Sequence, residues 1–146
     1  GRDDLAVVFA SHPAVPESRE TFAKKAQAIP ALQWHLWEGT LQQACPFCDI
    51  YVGFGSMTSA EAAVSDLPVI QIRSELIDYG PLSDLEGSFQ EVSTTDQLAK
   101  ALDAALYIEQ SHQEQEERKR LIEVHVFHKL DGKAKERFVQ VMESLP

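Results

Sequence analysis

Little in this chain is cysteine, and no apolar run is long. Two cysteines in 146 residues cannot frame a disulfide-stapled fold, so the fold has to rest on a hydrophobic core. The longest apolar runs fall far short of the roughly 20 residues that a membrane-spanning helix needs. Basic residues are also scarce, 13 against 23 acidic, giving a net charge of -10. Such a surface repels nucleic acid and anionic lipid, and no basic patch of useful size offsets it. The chain opens Gly-Arg-Asp-Asp and enters a strand almost at once, without a signal-peptide pattern. A cytoplasmic setting is the expectation. What is present suits one α/β domain over residues 1–146: 44% of the residues are apolar, enough for a core.

Several catalytic signatures are missing as well. There is no nucleophile elbow, no P-loop lysine and no complete Gly-x-Gly-x-x-Gly. Gly53-Phe54-Gly55 lacks the third glycine, because Thr58 stands in its place. The five histidines show no metal-ligand spacing, although His125 and His128 are close enough to share a helical face. No metal and no cofactor is expected. Cys45-Pro46-Phe47-Cys48 has the spacing of redox dithiols, but the pair precedes a strand rather than opening a helix, where a thiol is made acidic. Two half-buried thiols are the simpler reading.

The most informative stretch runs from Cys48 to Arg73. Ile50 to Val52 have the composition of a buried parallel strand, and Gly53 and Gly55 permit a sharp turn with close ligand approach. Thr58 followed by Glu61 has capping-box spacing, so a helix is expected to start there and stop near Asp66. Pro68 then opens the strand Pro-Val-Ile-Gln-Ile. A helix N-terminus fringed by Ser56, Thr58 and Ser59 at the carboxyl end of a strand suits a phosphate or diphosphate.

The rest of the chain alternates in the same way. Leu5 to Ala10 reads as a buried strand ending in Ser11-His12-Pro13, followed by a helix from Pro16 to about Ala28 that Pro30 ends. Leu32, Trp34 and Leu36 alternate with polar neighbours as a second strand, and 39–44 leaves room for a short helix. Ser74 to Gly87 holds proline, two glycines and acidic residues, and is expected to be a loop over the carboxyl edge of the sheet. Phe89 to Val92 is a short strand. Thr94 and Gln97 have capping-box spacing ahead of Leu98, Leu102 and Leu106. Gln113 to Arg120 is the solvated side of a helix running towards Phe127, and Asp131-Gly132 precedes a last helix carrying Phe138, Val141, Met142 and Leu145. This rhythm predicts a three-layer, Rossmann-like α/β fold with a mainly parallel open sheet, whose ligand lies beyond the carboxyl ends of the strands.

Three segments, Val8-Phe-Ala-Ser-His-Pro13, Asp49 to Ile72, and Asp131-Gly-Lys-Ala-Lys-Glu-Arg137, come in the order seen in the carboxyl-terminal half of GT-B-fold enzymes. The chain resembles UDP-N-acetylglucosamine 2-epimerases and related nucleotide-sugar glycosyltransferases. The resemblance implies a donor-binding half of a transferase or epimerase, with a UDP-sugar as the favoured ligand. It further implies that Gly55, Ser56, Met57, Thr58 and Ser59 hold the donor diphosphate and that Glu61 takes the ribose hydroxyls. His12 would be the catalytic residue, as general base or phosphate contact. Where the family places Ser-Gly-Gly, this chain has Gly55-Ser56-Met57. The resemblance implies that the amino-terminal domain of the two-domain relatives, and the first strand of this one, lie outside this sequence; a longer protein or a partner subunit is therefore implied, and this half would be inactive alone. The alternative is a non-catalytic module that binds a nucleotide, a phosphorylated ligand or a partner.

Each residue also has a plainer role. Glu61 could serve the helix cap alone, Ser56 and Ser59 could merely satisfy open N–H groups, and His12 could be a surface residue beside proline. Asp131 reads most simply as an N-cap, and Trp34 and Trp37 as packing residues rather than a base-stacking platform.

Overall fold

The computed structural model describes residues 5–11, 15, 17–74, 89–107 and 111–144. The chain divides into two compact units, Gly1–Cys48 and Asp49–Pro146. Among the described residues, both are built from helices and short parallel strands, as a small α/β fold requires. No helix among them is long and apolar enough to cross a membrane.

In the first unit, β1 (Ala6–Phe9) pairs in parallel with β2 (Gln33–Leu36), Ala6 opposite Gln33 and Phe9 opposite Leu36. Helix α1 (Ser18–Gln27) makes the crossover, with Glu20 in its first turn and Lys24 and Lys25 in its last, each matching the helix dipole. Proline at 30 and a left-handed Ala31 (φ 65°) turn the chain back into β2. Aromatic contact holds the unit together. The rings of Phe9 and Phe22 stack at 4.2 Å, and Trp34 meets Phe22 edge-on at 5.9 Å.

The alternation expected for β2 is present: Trp34 and Leu36 are half-buried, Gln33 and His35 exposed. The buried strand expected over 5–10 is not. Ala6, Val7 and Val8 are exposed, the two valines at 37% and 38%. The reason is a shortage of neighbours, since among the described residues of this unit β1 has one partner strand and the helix packs on one side of the pair. Helix α2 (Leu41–Ala44) follows, capped by Thr40 and Gln43 in a reciprocal box, and runs into a 3₁₀ turn, Cys45–Phe47.

The second unit holds a parallel sheet in the order β3 (Tyr51–Gly53), β4 (Val69–Ile72), β5 (Gln90–Val92). Helix α3 (Met57–Val64) connects β3 to β4, and α4 (Thr95–Tyr107) follows β5. Because side chains alternate along a strand, Ile70 and Ile72 share one face with Val92. Leu98, Ala101, Leu102 and Ala105, at helical spacing on α4, close over that face and make the core with Ile50. The opposite face carries Tyr51, Gly53, Val69, Gln71 and Glu91, in register across the sheet. It lies under α3, whose buried Ser59, Ala60, Ala62 and Ala63 are small enough for close helix–sheet contact.

Helix α5 (His112–Ile122) packs on α3. Ile122 is fully buried, and Lys119 pairs at 2.5 Å with Asp66, the left-handed residue (φ 67°) just beyond α3. A π-helical turn, Glu123–Phe127, continues α5 until His128, at φ 63°, ends it. That reversal means His125 and His128 do not share a helical face. The last helix, α6 (Ala134–Ser144), leaves Phe138, Val141 and Met142 exposed. Leu145, most of the 74–87 loop, and His12 lie outside the described residues.

Two capping expectations need correction. Asp131 is not the N-cap of α6, which begins three residues later. Its carboxylate accepts from the Lys133 N–H at 3.0 Å and takes both oxygens to the Arg137 guanidinium at 2.7 and 2.8 Å. Arg137 holds the Asp131 carboxyl below its ordinary value, with the Lys133 amide adding to the effect. At α3 the cap is Ser56 rather than Thr58. At α4, Thr94 does accept from the Gln97 N–H (3.2 Å), while the Gln97 side chain reaches one residue further back, to the Ser93 N–H (2.7 Å).

Candidate functional site

The residues predicted to hold a diphosphate fall together at the start of α3, beyond the carboxyl end of β3. Gly55 turns the chain with a left-handed φ of 74°, a conformation that costs a residue with a side chain about 1 kcal/mol or more. Ser56 then caps the helix: its Oγ accepts from the Thr58 N–H at 3.3 Å, and its carbonyl accepts from the Ser59 N–H at 2.8 Å. The cap is therefore Ser56, and the expected box of Thr58 with Glu61 does not form. Two hydroxyl residues competed for the cap, and the turn made by Gly55 lets the earlier one win.

Thr58 is freed for another contact. Its Oγ1 meets the Tyr51 hydroxyl at 2.8 Å, tying the helix start to the strand beneath it. This contact explains Gly53 better than ligand approach does. A Cβ on Gly53 would stand 2.6 Å from the Tyr51 ring and hydroxyl, so any side chain there would push the phenol away from Thr58. Met57 opens the helix with its side chain exposed, and its N–H has no carbonyl within the helix to donate to. Glu61, half-buried, sits one turn along from Met57 on the same face. One edge of the first turn thus presents a helix-terminal amide, a hydroxyl-bearing cap and a carboxylate.

Two buried side chains belong to this place: Ser59, expected there with its neighbours, and Gln71, which the sequence does not single out. Gln71 and Ser59 are both fully buried (0% exposed), and the Ser59 Oγ and both polar atoms of the Gln71 carboxamide have no hydrogen-bond partner among the described residues. Ser59 is in the first turn of α3; Gln71 projects from β4 towards the same helix, between Gly53 and Glu91 in register. Each unpaired buried group costs about 1–3 kcal/mol, so native structures rarely keep three together without a use for them. Further along that face Arg73 forms an ion pair with Glu91. A polar residue inside Pro-Val-Ile-Gln-Ile was the available signal, but only the register of β3 on β4 brings it under the helix.

Ser59 therefore differs from its neighbours in the predicted set. Its hydroxyl faces inward, towards the sheet, while those of Ser56 and Thr58 are half-buried at the rim. Among the described residues, no group of three or more His, Cys, Asp or Glu side chains could hold a metal ion.

The first unit contains an open cleft of about 690 Å³, lined by Leu36, Trp37, Glu38, Gly39, Gln43 and Phe47. None of the predicted site residues lines it. Trp34 is a packing residue, as its contact with Phe22 shows, whereas Trp37 lines the cleft with its indole N–H held by the Thr40 carbonyl at 3.0 Å. Glu38 at the same cleft pairs with Arg19 at 2.9 Å.

Fold and site together define a small α/β chain with parallel strands and a polar helix start at a strand's carboxyl end. No protein-family model, no curated protein and no solved structure matches the chain.

Proposed function

We propose that this chain is the nucleotide-sugar-binding part of a glycosyltransferase or sugar-nucleotide epimerase, with the donor diphosphate over the first turn of α3. The observation that carries this reading is the coincidence of that helix start with the unpartnered, fully buried Ser59 and Gln71. The Met57 amide and the positive end of the helix dipole attract the diphosphate, and the Ser56 and Thr58 hydroxyls border it. Glu61, one turn along, accepts from the ribose hydroxyls. A water held beneath α3 and bridging towards the diphosphate supplies the partner that Ser59 and Gln71 lack.

In transfer or epimerisation the nucleoside diphosphate departs from the sugar, and charge grows on its oxygens as the glycosidic bond breaks. Helix-terminal N–H groups fixed in advance stabilise that charge without reorganising. The scheme requires no metal. The reading includes a three-layer Rossmann-like arrangement of a single domain and a second domain or subunit that supplies the acceptor site.

Calorimetry with UDP, UDP-sugars, GDP, CDP and inorganic phosphate tests it, with Ser56→Ala and Glu61→Ala alongside. Selective heat from one nucleoside diphosphate, weakened about tenfold by each substitution, is the expected outcome. Absence of binding to the folded chain overturns it. Binding without turnover once the neighbouring domain is supplied assigns the chain to the non-catalytic alternative.

A further inference from the structure

We propose that Cys45 and Cys48 are a reversible dithiol–disulfide couple, a modification site in the first unit that does not depend on the nucleotide-binding reading. Both residues are thiols in this structure. The spacing alone would carry little; the backbone between them carries more. Helix α2 runs directly into the 3₁₀ turn, Pro46 occupies its second position, and the Cys48 N–H donates to the Cys45 carbonyl at 3.1 Å. A turn closed in this way holds its first and fourth Cα atoms within about 7 Å, and disulfides span about 4.4–6.8 Å. The ring of Pro46 restricts the backbone further, so the thiols are brought together before any bond forms.

The two sulfurs differ in access. Cys45 is buried and Cys48 half-buried. Phe47, the residue before Cys48, is 80% exposed and forms a wall of the cleft with Trp37, Glu38 and Gln43. A low-molecular-weight disulfide in solvent therefore meets the half-buried Cys48 before the buried Cys45.

The chemistry is a two-step exchange. The Cys48 thiolate attacks one sulfur of a disulfide such as glutathione disulfide, releasing one glutathione thiol and leaving a mixed disulfide. Cys45 then gives its proton to solvent, and its thiolate attacks the Cys48 sulfur and displaces the second glutathione. Two protein thiols are oxidised by two electrons, and one glutathione disulfide is reduced to two thiols. The product locks the turn that carries Phe47, so the couple sets the shape of one wall of the cleft.

The test is intact-mass analysis of the full chain equilibrated in glutathione buffers, quenched with acid and alkylated. Wild type is expected to lose two hydrogens and carry no glutathione, with the equilibrium constant for forming the protein disulfide at least about tenfold larger in the native state than in urea. Cys45→Ser is expected to retain one glutathione, on Cys48. Two alkylated thiols at every glutathione ratio, or stable glutathione on wild type, overturn the proposal. So does an equal equilibrium constant in native and urea-unfolded chain, which would leave the turn no part in it. The wild-type comparison in and out of urea needs no variant to fold.

Discussion

Two strands of this chain, β1 and β4, are similarly short and differ in the way opposite to their composition. Ala-Val-Val-Phe is wholly apolar and lies largely exposed; Val-Ile-Gln-Ile contains a carboxamide and is almost entirely buried. The difference is in what surrounds them. Strand β4 has a partner on each side, α4 over one face and α3 over the other, whereas β1 has β2 alone within its unit. Burial is conferred by neighbours, and a polar residue admitted to the better-covered strand is for that reason the more informative one.

The sharpest way to break this comparison is to truncate the same kind of side chain in both strands. Ile70→Ala should destabilise the second unit by about 2–5 kcal/mol, because it empties the centre of the core. Val8→Ala should cost no more than about 1 kcal/mol, since over a third of the valine is already exposed. Urea unfolding separates the two, followed by circular dichroism for the whole chain and by tryptophan fluorescence, which reports on the first unit because Trp34 and Trp37 both lie there.

A smaller effect is expected at Gly53. Gly53→Ala should cost about 1–3 kcal/mol by forcing the Tyr51 ring off its contact with Thr58. The cost should shrink in a Tyr51→Ala background, and a double-mutant cycle reads the difference. If the cost is unchanged, Tyr51 is not what Gly53 makes room for.

Gln71→Met should raise the stability of the ligand-free chain by about 1 kcal/mol, since it removes polar atoms that have no partner. The same substitution should weaken nucleoside diphosphate binding. Opposite signs in the two measurements would mark a residue kept for a ligand; a loss of stability would mean that the carboxamide is satisfied in solution.

The least effect concerns pH. Asp131 has its carboxyl held below the ordinary range by Arg137, so its contribution to stability is present above that range, near pH 4, and is lost as pH falls through the lowered value. Hydrogen exchange at the start of α6 should quicken over that acid window in wild type and show no such step in Asp131→Asn.

Much of the architecture was legible in the order of residues. Helix α4 and strand β2 follow their apolar spacing, and α1 ends ahead of Pro30, the boundary expected for it. The start of α3 was misread by two residues because Ser56 and Thr58 are equally able to cap, and the left-handed turn at Gly55 decides between them. Exposure of β1 could not be read from its own composition. Gln71 is not legible for a related reason: its place beneath Ser59 depends on the pairing of β3 with β4, which links segments on either side of a helix. The position of Asp131 suggests a local cap, while its carboxylate spans to Arg137, one turn into the helix it precedes.

The parallel ladders also govern how the chain reaches this arrangement. No pair of described strands is a hairpin, so β1 meets β2 across the whole of α1, and β3 meets β4 across the whole of α3. Closing such distant pairs is slow, and during that delay the valines of β1 line an unpaired edge. Refolding yield should therefore fall as protein concentration rises, while the rate at which the surviving molecules fold stays the same.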